Sequence, residues 1–270
     1  MGEPREWIVD LDQQGVAADR TDLHAVTIDV HTILASNLRY RSLEGVTVKT
    51  ETRLRPVDLG KPRMRGWLHA YAAGVAVVCG IVLCSLAAAR PGWAPFVSCA
   101  VYSLTVVALF STSALYHRRV WSERGYKIMR RLDHSMIFVF IAGTYTPFSV
   151  LLLPDTAGKV ILAVVWGGAV LGVGMKLITP NAPRWLSAPL YLALGWVAVA
   201  VLPDLLHNGG VTALVLTLVG GAFYTVGAVF YALRRPNPWP TVFGHHEFFH
   251  ACTLVAAICH HIAIYFALYA

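Results

Sequence analysis

Acid is what this chain lacks. Of its 270 residues only 15 are Asp or Glu, and ten of those fall before residue 60. Glu123, Asp133, Asp155, Asp204 and Glu247 must serve all the rest. Charge of either sign is scarce, at 14% of residues, where an ordinary soluble domain carries about 25%. Cysteine is sparse too: Cys79, Cys84, Cys99, Cys252 and Cys259 all fall in apolar stretches, with no partner in a polar loop. These shortages exclude a disulfide scaffold, a disordered regulator and a soluble globular enzyme.

What is present is a hydrophobic body, since 56% of residues are apolar. A bilayer core of about 30 Å takes about 20 apolar helical residues. Seven such runs recur, near 67–89, 94–116, 134–153, 160–177, 186–203, 211–233 and 247–268. Short links rich in Pro and Gly separate them. Val160–Gly174 and Val211–Leu233 lack the polar face that a soluble helix shows every turn. The expected fold is all-α, an integral membrane bundle of seven transmembrane helices.

Basic residues orient the bundle through the positive-inside rule. With the head inside, the inner loops 117–133, 176–185 and 234–245 hold ten Lys or Arg, against Arg90 and Lys159 outside. The N-terminus is therefore expected inside and the C-terminus outside, in a multi-pass membrane protein. The formal charge of +7 is a topology signal, so membrane lipids rather than nucleic acid are the expected partners. Residues 1–60 show no sustained periodicity and no leader-like apolar core. They are expected to be a flexible polar cytoplasmic tail, or an over-extended start with translation beginning further in, for instance at Met64.

Ionisable groups within spans are costly, and so are functional candidates by default. Ser113 and His117 end the second run, Asp133 and His134 open the third, and His245, His246, Glu247 and His250 open the seventh. With alternating direction all three ends lie at the inner interface. His246 and His250, at i and i+4, share one helix face and can chelate one ion, and His117 can add a third nitrogen. Three protein ligands plus water is the open arrangement of a catalytic zinc, which lowers the pKa of its water towards 7. Asp133 is the expected proton carrier, and Ser113, one turn before His117, can orient a ligand or a substrate carbonyl. His246-Glu-Phe-Phe-His250 also fits the HExxH pattern, which makes Glu247 an alternative base or an outer-shell group. A true metalloprotease is not expected, because no third-ligand motif of that class is present. His69 and His260 are expected to be packing residues, and Pro147 a kink satisfied by neighbouring hydroxyls.

Five segments together resemble the hemolysin III family: Arg65-Gly-Trp-Leu-His69, Ser113-Ala-Leu-Tyr-His117, Leu132-Asp-His-Ser135, Gly143-Thr-Tyr-Thr-Pro147 and Gly244-His-His-Glu-Phe-Phe-His250. That family is the bacterial branch of the progestin and adipoQ receptor family, in a superfamily with alkaline ceramidases. The resemblance covers about 61–270 and not the head. It implies a protein of the bacterial inner (plasma) membrane, with seven helices and one zinc ion near the cytoplasmic face, held by His117, His246 and His250, with its water hydrogen-bonded to Asp133. It further implies either hydrolysis of lipid amide or ester bonds, or a non-catalytic role in lipid and fluidity homeostasis or in cytolysis.

Overall fold

The computed structural model describes residues 61–179 and 184–270, without the side chains of Arg184 and Trp185. The expectation for residues 1–60 lies outside the described residues. Within them the chain is helical, apart from one isolated bridge between Trp239 and Phe243. The elements are α1 (Trp67–Ala88), α2 (Ala94–Arg118), α3 (Glu123–Leu151), α4 (Asp155–Ile178), α5 (Arg184–Gly195), a 3₁₀ turn (Trp196–Val201), α6 (Leu202–Leu233) and α7 (His245–Tyr269).

Local chemistry explains most starts. Pro95 occupies the first turn of α2, where its missing N–H costs nothing. The Ser122 hydroxyl accepts the Gly125 N–H at 3.2 Å to cap α3, and Glu123 complements the dipole there. That cap starts α3 about ten residues before the expected run at 134. The segment Glu123–Asp133 is rich in helix formers (Glu, Arg, Lys, Met, Leu), so the basic inner loop is largely helix. Asp133 consequently sits in the third turn of α3 rather than at its mouth. Near the other end, Pro147 cannot donate, and the Thr144 and Thr146 hydroxyls bond the carbonyls of Phe140 and Ala142, both at 2.9 Å. Neither of these is the carbonyl that the proline frees, which is that of Gly143, one turn back.

Six helical runs are long and apolar enough to cross a membrane, one of them the 48 residues Leu186–Leu233. Gly210 interrupts that run with φ 76 and ψ 175, a conformation open to glycine and foreign to a helix. The chain doubles back there. Trp196 Nε1 donates to Thr225 Oγ1 at 3.1 Å, although 29 residues of straight helix would hold them more than 40 Å apart, at about 1.5 Å each.

Helices adjacent in sequence pack together along α1–α4, α6 lies on α7, and α7 also returns against α1 and α3. That return brings the last helix beside the first. Outward positions such as Val75, Val78 and Ile81 are more than 60% exposed. Inward ones on α4 include Gly158, Ala169 and Gly172. This suits helices in lipid, where small residues allow close approach and apolar side chains face the acyl chains. Tyr102, Phe110, Phe140, Phe148 and Ile264 fill the core among α1, α2, α3 and α7. Below that core, at one end of the helices, polar side chains converge.

Candidate metal centre

His117 comes from the last turn of α2, and His246 and His250 from the first two turns of α7. The return of α7 onto α1 and α3 brings the two ends together. The ligand atoms of the three imidazoles all lie within 4.8 Å of one another. His117 Nε2 and His246 Nε2 are 3.2 Å apart. Two nitrogens bound tetrahedrally at about 2.05 Å from one ion would be about 3.3 Å apart, so this pair already has ligand spacing. The donor set is one that zinc and other first-row transition metals accept: three imidazoles, half-buried or buried, with His250 only 3% exposed.

Asp133 is joined to this group through α2. The Ser113 hydroxyl neighbours its carboxylate, and Ser113 stands one turn before His117 on α2. Ser113 is buried and Asp133 nearly so. The adjacent His134 is turned aside, with Nδ1 2.7 Å from the Arg130 carbonyl oxygen and 3.7 Å from Asp133 Oδ2. Ser113 of α2 and Asp133 of α3 thus stand side by side.

Both carboxylate oxygens of Glu247 are engaged. Its Oε2 accepts the Gly244 N–H at 2.8 Å, and its Oε1 takes the Arg65 guanidinium. Two neighbours were not foreseen as parts of the site. His69 lies flat on His250, with ring centroids 3.9 Å apart and planes 6° apart, and neither of its ring nitrogens has a hydrogen-bond partner. Arg65 precedes α1, and nothing in local sequence joins it to a glutamate 182 residues on. The one available signal was that the Arg65–His69 segment is among the quoted motifs.

The family profile described as Haemolysin-III related matches residues 57–261, which includes every one of these side chains. The chain is 31% identical over 158 residues to the Hemolysin-3 homolog of Bacillus subtilis (strain 168), covering 58% of this chain and 71% of that one. It is 29% identical over 167 residues to Hemolysin-3 of Bacillus cereus, covering 62% and 76%. It is also 31% identical over 189 residues to the Heptahelical transmembrane protein ADIPOR2 of Oryza sativa subsp. japonica, covering 64% and 81%.

Proposed function

The chain belongs to the haemolysin-III related family, and from that membership and its three converging imidazoles we propose a zinc-dependent hydrolase embedded in the plasma membrane, acting on an amide or ester bond of a lipid. The observation that carries this is the approach of His117, His246 and His250 to within 4.8 Å of one another. Zinc bound there would polarise a carbonyl and lower the pKa of a water towards 7. The protein's part is then played by two residues. Asp133 takes the proton released as water adds to the carbonyl and returns it to the leaving amine or alcohol. The Ser113 hydroxyl, one turn before His117, would orient the Asp133 carboxylate.

The site belongs at the inner interface on a seven-span reading with the N-terminus inside. Leu186–Leu233 would be about 72 Å long as one straight helix, more than twice the hydrocarbon thickness. The turn at Gly210 supports two crossings within it. A reporter fused at residue 236 is then expected to be cytoplasmic, and one fused after Ala270 external; the reverse readings would overturn the topology.

A second reading keeps the metal without the chemistry. The three ligands clamp α2 to α7, so zinc would serve as a staple in a lipid sensor, or in the cytolytic factor that the relatives' names describe. Purified protein, assayed for zinc and for release of fatty acid from lipid amides and esters, separates the two. Turnover in the wild type that is lost in Asp133→Ala with zinc retained supports the hydrolase. Stoichiometric zinc without release from any substrate supports the staple. Absence of zinc overturns both.

A further inference from the structure

Glu247 lies between the two histidines of α7, and both of its oxygens are engaged. One accepts the Gly244 N–H, an amide that the first turn of α7 would otherwise leave free. The other holds Arg65, and the carboxylate side chain is only 2% exposed. Arg65 itself comes from Lys61–Gly66, the segment ahead of α1, and that segment is pinned from two sides. The Arg63 and Met64 N–H groups donate to the carbonyls of Thr241 and Val242, at 2.9 and 3.1 Å. Gly66, at φ 77, passes so close to α2 that a Cβ would stand 2.9 Å from the Cβ of His117. One turn later His69 stacks on His250. A short stretch of chain therefore reaches every element that carries a proposed ligand.

We infer that the Arg65–Glu247 ion pair positions the metal ligands, fixing the rotation of the first turn of α7 so that His246 and His250 face His117. The inference rests on the metal-centre reading above. Arg65 and Glu247 are on this account positioning residues, acting through the histidines. The requirement is geometric. Side-chain tips lie about 5–6 Å from a helix axis, so a rotation of about 20° carries an imidazole nitrogen about 2 Å. Ligand distances tolerate only about 0.2 Å. A single cap hydrogen bond on the axis resists such a rotation weakly. An ion pair that reaches sideways to a segment fixed against α2 resists it well, and burial of the carboxylate keeps solvent from competing for it. The guanidinium is also the right group, since its planar fork loses less freedom per contact than an ammonium on a flexible stem.

Deleting one partner alone would leave a buried charge unpaired and destabilise the fold whatever the role of the pair. The decisive variant is therefore neutral on both sides: Arg65→Met with Glu247→Gln, whose amide oxygen still accepts the Gly244 N–H. Zinc affinity is read on the purified full chain by competition with a chelator, beside the melting temperature of the metal-stripped protein and the visible spectrum of the cobalt-substituted one. Positioning predicts that the metal-stripped double variant melts like the wild type. It also predicts zinc affinity about 10–100-fold weaker, the range found when groups behind metal ligands are removed, and a changed cobalt spectrum. Zinc affinity within about threefold of wild type would overturn the inference while leaving the metal centre standing. A wild type that takes up no zinc would overturn both. Should the double variant fail to fold, Glu247→Asp decides in its place, because it keeps both charges and shortens the reach by one methylene. Weakened zinc binding then supports the pair as a positioning device, and unchanged binding overturns it.

Discussion

The last helix carries two pairs of histidines, each with one buried ring and one half-buried ring, and they differ in the company they keep. His246 and His250 meet His117 from α2, with two nitrogens 3.2 Å apart. His260 and His261 lie further along the same helix, His260 about 21 Å beyond His246 at 1.5 Å per residue. His260 offers Nε2 to the Thr217 carbonyl at 3.2 Å, between the edges of Phe148 and Tyr224. His261 stacks on Tyr102 and meets the edge of Tyr265. No other histidine, cysteine or carboxylate group of the metal-holding kind occurs among the described residues. The degree of burial is the same in both pairs, one ring buried and one half-buried, and so marks neither. What distinguishes the first is convergence of donors from helices that sequence separates by more than a hundred residues.

The largest expected effect breaks the first group directly. His250→Ala removes one of three ligands and should reduce bound zinc to a trace, measured as metal per protein after purification in detergent. His117→Ala should do the same, because the two helices contribute to one site. Asp133→Ala comes next and acts on a different quantity. It should leave most of the zinc in place and lower lipid amide or ester turnover by about 10²–10⁴-fold, the usual weight of a positioned acid–base group. A variant that loses metal and turnover together would make Asp133 part of the ligand set.

Much of this layer was legible in the sequence because a membrane punishes polar residues. Once the runs were counted and oriented, Ser113, His117, Asp133, His246 and His250 fell at one depth with nowhere else to go. The i, i+4 spacing of His246 and His250 needs no tertiary knowledge. What escaped was everything set by packing between distant segments. That Ser113 neighbours Asp133 depends on the rotation of α2 against α3. That Glu247 caps its own helix and also holds Arg65 depends on where the segment before α1 lies. The extension of α3 back to Glu123 was missed for another reason: a run of basic residues reads as loop by charge, although each is a good helix former.

A smaller effect should follow from Gly66→Ala. At φ 77 an alanine pays about 1–2 kcal/mol for a left-handed backbone, and its methyl would press on His117 Cβ at 2.9 Å. A lowered melting temperature with weakened zinc binding is expected. Gly74→Ala, in open space inside α1, should leave zinc binding unchanged and should not lower the melting temperature, since alanine is the better helix former. Equal behaviour of the two variants would remove Gly66 from the account of the site.

The smallest effect is expected at the second histidine pair, and it sharpens the contrast most. The ring of His260 fills the notch left by Gly220, where a Cβ would come within 2.4 Å of it. His260→Leu keeps most of that volume and gives up one hydrogen bond to a carbonyl that lies within helix α6. Such bonds between membrane helices contribute about 0.6 kcal/mol on average, and a neutral bond elsewhere about 1 kcal/mol. Unfolding in mixed micelles should therefore shift by roughly 1 kcal/mol, while zinc content and affinity stay at wild-type values. Loss of zinc in His260→Leu would mean that the deep pair supports the metal layer through α7, and the two groups would then be one network. Unchanged zinc with a small loss of stability leaves His260 a helix-packing residue, distinguished from His250 by having no second donor to meet.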